Sequence, residues 1–202
     1  MTPIVGIIAL GAANRRSIDA ALLRAGAQTR FVDEPRSVAA CDALVLPGVA
    51  NFGYVADELD RSALRPALVD AARKGTPLLG ICVGFQLLFE ESEEAPQARG
   101  LGLLRGRVRR LRTPRVPHMG WNEIQPAASG IEPGWAYFAN AYAPDAGAED
   151  AIATTEDGDD RFAVAAARGN VSGVQFHPER SGDYGARLLR SFVDSAIAAY
   201  AR

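Results

Sequence analysis

The chain of 202 residues is 48% hydrophobic and 23% charged, close to the roughly 45–50% and ~25% of ordinary globular domains. That composition excludes a disordered or collagen-like chain and gives one domain over residues 1–202 enough apolar material for a core. Its 22 basic and 24 acidic residues leave a net charge of −2, which offers no general attraction to the phosphate backbone that dominates nucleic-acid affinity. A dedicated nucleic-acid binder is not expected. Cys41, Cys82, His118 and His177 are scattered, with no C-x-x-C pair, so neither a disulfide framework nor a metal site is expected. The first residues enter an apolar run without a charged leader, and no apolar run reaches the ~18 residues of a membrane span. A soluble, cytoplasmic protein is the expectation.

In chain order, residues 4–10 form a short apolar run ending at Gly11, and Ser17 is placed to cap a helix through Leu22 and Leu23 that stops at Gly26. Residues 29–32 read as a second strand, and residues 43–46, fenced by Pro47 and Gly48, as a third buried on both faces. A helix from about Ser62 tolerates Pro66 because it falls in the first turn, and it ends at Lys74-Gly75. Residues 77–81 are another buried strand, and residues 83 to about 91 have helical spacing in Phe85, Leu88 and Phe89. This alternation predicts a parallel α/β sheet. After Glu94 the texture changes to short strands at 104–111, 119–124, 135–142, 151–155, 162–167 and 171–176, with turns at 156–160 and 168–170. These predict an antiparallel extension with hairpins. The last segment, from a Ser181 cap through Leu188, Leu189, Phe192, Val193, Ala196, Ile197 and Tyr200, has the spacing of an amphipathic helix on the sheet.

Chemistry concentrates at two places. GICVG at 80–84 is a G-x-C-x-G at a strand-to-helix junction, the thiol version of the nucleophile elbow. A nucleophile on so sharp a turn sits in a strained backbone, and side chains two before or two after it would collide, so glycine fits both positions. Cys82 is then displayed at the carboxyl end of the sheet, where open α/β folds bind ligands. The following helix favours its thiolate, and the Val83 amide is aimed to donate to a developing oxyanion. The competing reading of Cys82 is a small buried hydrophobe, which is the reading adopted for Cys41, in AACD without flanking glycines.

QFHPE at 175–179 supplies what a thiol nucleophile needs, a base with its own orienting group. His177 and Glu179 share a face of an extended chain, and Pro178 keeps His177 out of helical geometry. His118 has no carboxylate within two residues and is read as a structural or interface residue. Arginines 105, 107, 109, 110, 112 and 115 form the one basic cluster. Without stacking aromatics they read as a solvated edge strand.

PLLGICVGFQLLFE at 77–90 together with His177-Pro178-Glu179 resembles the Cys-His-Glu glutaminase domain of class I glutamine amidotransferases, a flavodoxin-like three-layer α/β fold with a mostly parallel central sheet and an antiparallel extension. VPHMGWNE at 116–123, LPGVANFG at 46–53 and HPERSG at 177–182 resemble more narrowly the glutaminase subunits of imidazole glycerol phosphate synthase, over the whole chain. The resemblance implies that Cys82 attacks the side-chain amide of glutamine to give a thioester and ammonia, with His177 carrying protons and Glu179 orienting it. Water then releases glutamate. It further implies oxyanion donors from Val83 and the Val49-Ala50 segment, and substrate contacts at Gly48, Gln86, Ala141 and Tyr142. Neither cofactor nor metal is implied. The implied partner is a cyclase subunit, a β/α barrel, forming a heterodimer that takes up the ammonia in histidine biosynthesis, with Asn14, Arg16, Trp121, Asn122 and Arg180 at the interface. Glutaminase activity is expected to be slight alone and to rise with the liganded partner.

Some residues depart from the family pattern. Ala50 stands where glycine is usual, removing glycine-only conformations beside the oxyanion site. Asn140-Ala141 replaces a histidine followed by serine or threonine, Ala9-Leu10 an Asp-Tyr pair, and Arg180 a lysine of different geometry. Altered oxyanion-hole formation or partner coupling is therefore expected. The alternatives are a stand-alone glutaminase of another pathway, a redox sensor built on the same elbow, and a degenerate subunit that only binds the cyclase. The His-Glu pair argues against the sensor.

Overall fold

The computed structural model describes residues 2–11, 15–48 and 50–200, without the side chains of the last two. In chain order it runs β1 (Ile4–Ile8), α1 (Arg15–Arg24), β2 (Gln28–Val32), α2 (Pro35–Val38), β3 (Ala43–Gly48), α3 (Phe52–Arg61), α4 (Leu64–Arg73), β4 (Leu78–Cys82) and α5 (Val83–Gln86). The second half continues with β5 (Glu91–Ser92), β6 (Arg107–Arg110), β7 (His118–Pro126), β8 (Gly134–Asn140), β9 (Tyr142–Pro144), β10 (Ala151–Asp157), β11 (Asp160–Arg168), β12 (Val171–Val174), a 3-10 turn (Pro178–Arg180) and α6 (Gly182–Tyr200).

A nine-stranded sheet has the order β2-β1-β3-β4-β12-β11-β10-β7-β8. Its first five strands are parallel, and the rest pair antiparallel. Helices α1 and α6 meet on one face while α2, α3 and α4 pack together on the other. β3 and β4 are buried at every residue, as their apolar runs require of central strands covered on both sides. β2, at the edge, is mostly exposed. The hairpins close at Gly158 and Gly169, both left-handed, where the sequence places them.

Several elements differ from the sequence reading. Helix α1 begins two residues before Ser17, which therefore lies inside its first turn. Helix α3 is additional: Asn51 accepts from the Tyr54 N–H at its start, and Phe52, Val55, Ala56 and Leu59 bury one face. Helix α5 is one turn, not two, because the carbonyls of 87–90 are taken by a loop that folds back. Leu87 and Leu88 accept from Leu101 and Leu103, and Phe89 and Glu90 from Gly102 and Gly100. The run expected over 135–142 divides into β8 and β9, and β9 joins a separate three-stranded sheet, β5-β6-β9. In that sheet β6 is the middle strand, not a solvated edge. Arg109 is buried against Asp160, with bonds of 2.7 and 3.1 Å, while Arg105 pairs with Glu149 and Arg107 with Asp145. Acidic neighbours thus answer much of the basic cluster. Ser181 spends its hydroxyl on the His177 carbonyl and the Tyr137 N–H rather than on capping α6.

Candidate functional site

The elbow is built as the sequence predicts. Cys82 ends β4 at φ 57° and ψ −113°, a conformation that costs an L-residue of order 1–3 kcal/mol and persists only where the surroundings impose it. Close packing imposes it here. A Cβ on Gly80 would lie 2.7 Å from the Gly84 carbonyl oxygen and from Phe85 Cα, and one on Gly84 would lie 1.8 Å from the Leu46 carbonyl oxygen of β3. The second glycine therefore answers to the neighbouring strand rather than to the first glycine. Gly48, paired in register with Cys82, is pressed against Val83 and Gly84 in the same way. With α5 a single turn, the helix dipole expected to favour the thiolate is correspondingly small.

His177 follows β12, one strand over from β4. Its N–H donates to the Tyr137 carbonyl of β8 at 2.9 Å, and its own carbonyl accepts from Ser181 Oγ at 2.7 Å, so the backbone under the ring is held on both sides. The ring's Nδ1 lies 3.0 Å from Glu179 Oε1. The two residues do not meet across an extended chain as predicted; the 3-10 turn brings the carboxylate back beneath the imidazole. The Glu179 side chain is 1% exposed. Burial opposes the imidazolium, but the hydrogen bonds and charges supplied by Cys82 and Glu179 outweigh it and push the His177 pKa up to about 10.

Cys82, His177 and Glu179 line one cavity of about 310 Å³ together with Ala50, Val83, Gln86, Glu94, Asn140, Ala141, Tyr142 and Arg180, within the ~300–1,000 Å³ of small-ligand sites. Three buried acceptor atoms on these residues have no partner among the described residues: Gln86 Oε1, Asn140 Oδ1 and Glu179 Oε2. Unmet buried acceptors are costly, and all three belong to residues that line the cavity. Glu94, which also accepts from the Phe52 N–H at 2.8 Å, adds a carboxylate. The sequence reading missed Glu94, and it took Asn140 only as a departure from the family pattern. Gln175, quoted only as part of the QFHPE motif, donates from Nε2 to Cys82 Sγ at 3.8 Å. Local spacing carries no signal for these residues, because they arrive from separate strands and loops.

The glutamine amidotransferase class-I family matches residues 7–196. The imidazole glycerol phosphate synthase subunit HisH of Halobacterium salinarum is 44% identical over 204 residues, covering 93% of this chain and 91% of its own length. That of Gloeobacter violaceus is 39% identical over 209 residues (96% and 91%), and that of Bacillus subtilis 38% over 205 (96% and 97%). The chain belongs to the HisH family of class I glutamine amidotransferases. A crystal structure of a glutamine amidotransferase superposes with a TM-score of 0.79 at 24% identity over 95% of this chain and 98% of its own. The glutaminase domain of Trypanosoma brucei CTPS does so at 0.70 and 15% identity, over 98% and 94%. These two likenesses establish the class I glutamine amidotransferase fold.

On this amidotransferase fold the remaining expected residues fall as follows. Val49 and Asn14 lie outside the described residues. Gly48 packs the elbow rather than lining the cavity. Arg16 is exposed on α1. Trp121 is 53% exposed and Met119 65%; Trp121 meets Tyr137 edge-on at 6.3 Å, and Arg180 lies 4.1 Å over the Tyr137 ring. Asn122 instead donates to the Glu156 carbonyl at 2.8 Å, bracing β7 to β10. His118 is away from the cavity, its Nδ1 2.9 Å from Asp157 and its ring against Phe138 and Phe162. Cys41 is buried, its thiol pushed up by that burial. Among the described residues, no three His, Cys, Asp or Glu side chains gather for a metal ion, and no helix is long and apolar enough to cross a membrane.

Proposed function

We propose that this chain hydrolyses glutamine to glutamate and ammonia through a thioester on Cys82, and delivers the ammonia to the cyclase subunit of imidazole glycerol phosphate synthase. The observation that carries the reading is the strained Cys82 sharing one cavity with a His177 imidazole that is held by a buried Glu179. The Cys82 thiolate attacks the carboxamide carbon of glutamine, and the carbonyl π electrons move onto oxygen. The Val83 N–H and a donor from the 48–50 segment, Val49 or Ala50, take that oxyanion. As the tetrahedral adduct collapses, the C–N bond breaks and His177 gives its proton to the departing nitrogen, leaving ammonia and the thioester. Water, deprotonated by His177, then attacks the thioester, and glutamate leaves as the Cys82 thiolate returns.

Glu179 stabilises the imidazolium and fixes which ring nitrogen faces the chemistry. Gln86 Oε1, Asn140 Oδ1 and the Glu94 carboxylate are acceptors suited to the α-ammonium of glutamine, with Ala141 and Tyr142 forming the wall. Asn140 thereby supplies an acceptor where the family pattern has histidine. The reaction as written needs no cofactor. The exposed face of β7 and β8 carrying Met119, Trp121 and Tyr137 runs to Arg180 at the cavity rim, and we assign it to the cyclase subunit, a β/α barrel in a heterodimer.

The test is glutamate release by wild type and Cys82→Ser, each with and without the cyclase subunit and its nucleotide ligand. Wild-type turnover that rises with the liganded partner, and is absent in the variant, is expected. Complex formation without turnover in wild type would instead make the chain a binding subunit, with Ala50 and Asn140-Ala141 the first residues to revert.

A further inference from the structure

Gln175 is fully buried and continues β12 beside the elbow. Its N–H donates to the Val164 carbonyl at 2.9 Å, and the register that pairs Val174 with Ile81 sets it level with Cys82. Its amide joins two features of the site. Nε2 donates to Cys82 Sγ at 3.8 Å, and Oε1 accepts from Gln86 Nε2 at 3.0 Å. Gln86 Nε2 also donates to the Tyr142 carbonyl at 2.8 Å, and its Oε1 is one of the three buried acceptors without a partner among the described residues.

The direction of this chain of amides is fixed by its far end. A backbone carbonyl only accepts, so Gln86 must turn its NH2 to Tyr142. The same NH2 then meets Gln175, which must present oxygen to it, and the Gln175 NH2 is left facing sulfur. Reversing either amide sets acceptor against acceptor or donor against donor, so the network fixes the orientation of both amides. A fixed N–H donor favours the negatively charged sulfur over the neutral thiol. An amide that accepts more strongly at its oxygen also donates more strongly at its nitrogen.

We propose that Gln175 is a positioning residue for Cys82: its amide holds the thiolate through the reaction and links it, by way of Gln86, to the pocket that receives the substrate. The proposal rests on the glutaminase reading above, in which Gln86 meets glutamine. Gln175 touches the nucleophile from the side of the sheet, where it is buried, and leaves the cavity side to substrate and His177.

Two variants test it, Gln175→Met, which keeps the length without donor or acceptor, and Gln175→Glu, which keeps the acceptor for Gln86 and puts a carboxylate beside sulfur. The readouts are the pH profile of Cys82 alkylation by iodoacetamide, which needs no substrate, and the split between kcat and KM for glutamine in the complex with the cyclase. The titratable or charged groups facing the sulfur, His177 backed by Glu179, and Glu94, Tyr142 and Arg180 around the cavity, are the same in all three proteins. The comparison therefore reads Gln175 alone.

Gln175→Met is expected to move the alkylation profile to higher pH and to lower kcat about 3- to 10-fold, the worth of a long hydrogen bond to sulfur, with KM changing less. Gln175→Glu should be slower still at neutral pH and, because it buries a carboxylate beside sulfur, should melt below wild type while remaining folded. An alkylation profile unchanged in folded Gln175→Met, or in Gln175→Glu if the first variant does not fold, would overturn the proposal. So would a loss confined to KM. If wild type alkylates with the predicted variant shifts yet releases no glutamate, the glutaminase reading fails while the role of Gln175 toward Cys82 stands.

Discussion

Replacing Arg109 by methionine should be among the most damaging single changes away from the cavity. The side chains of Arg109 and Asp160 are each 6% exposed and joined by two bonds, and the guanidinium also reaches Asp145 and the Arg161 carbonyl. Despite burial, which favours the neutral acid, the guanidinium and the Arg112 N–H hold Asp160 below the usual carboxylate range. Methionine fills much of the arginine stem but leaves the buried Asp160 carboxylate without its ion-pair partner, only the Arg112 N–H remaining against it, a loss of about 3–5 kcal/mol. At ~2–4 °C per kcal/mol for a chain of this size, that is roughly a 6–20 °C fall in Tm. Urea unfolding followed by circular dichroism should show a lower midpoint at unchanged slope. Because the Asp160 pKa is depressed, its contribution is present above the unfolded value of ~3.9 and is lost as pH falls through the folded value. The wild-type advantage over Arg109→Met should therefore narrow below about pH 4. Adding Asp160→Asn to Arg109→Met should restore at least ~1 kcal/mol by removing the stranded charge. A single variant within ~1 kcal/mol of wild type, or a double variant that loses the sum of two single losses, would refute the buried-pair account.

Other consequences follow from the cavity and the elbow. The His177 imidazole should hold its proton to about pH 10, and Glu179→Gln should move that titration down, as read by nitrogen-15 shifts of the ring. Since the folded pKa is raised, the linked stability is complete below about 6.5 and lost as pH rises through the folded value; a flat wild-type profile between those limits would contradict it. Gly84→Ala drives a Cβ into the Leu46 carbonyl and should cost at least ~1–3 kcal/mol. Gly147→Ala meets nothing within 4 Å and should be neutral or gain ~0.4–1 kcal/mol, so equal melts for the two would undo the steric account of the elbow. Trp121→Ala should leave the melt of the isolated chain within ~0.5 kcal/mol while weakening the cyclase complex severalfold by calorimetry. An unchanged affinity would move the partner face elsewhere.

The parts of the molecule legible in the sequence are those whose cause is local. Central strands β3 and β4 announce themselves as apolar runs because both faces are covered, and the elbow is legible because a sharp turn around Cys82 leaves room only for glycine at 80 and 84. The signals of α3, an Asn51 cap and an apolar face from Phe52 to Leu59, are local as well. The misread elements have distant causes. Phe85, Leu88 and Phe89 have helical spacing, yet they are fully buried and the carbonyls of 87–90 are claimed by a loop ten or more positions away. Arg109 resembles its exposed neighbours until Asp160 is brought against it. The same division holds in the site. Cys82, His177 and Glu179 are marked by their own flanking residues, whereas Glu94, Asn140 and Gln175 gain their meaning only when the sheet assembles.

The central claim is that Cys82 is the nucleophile for the side chain of glutamine. Its most direct test is covalent labelling with an electrophilic glutamine analogue carrying a diazoketone in place of the carboxamide, read by intact mass and peptide mapping. The account predicts one label per chain, on Cys82, slowed by added glutamine and abolished in Cys82→Ser. Labelling of Cys41, or a Cys82 label that glutamine does not slow, would contradict it.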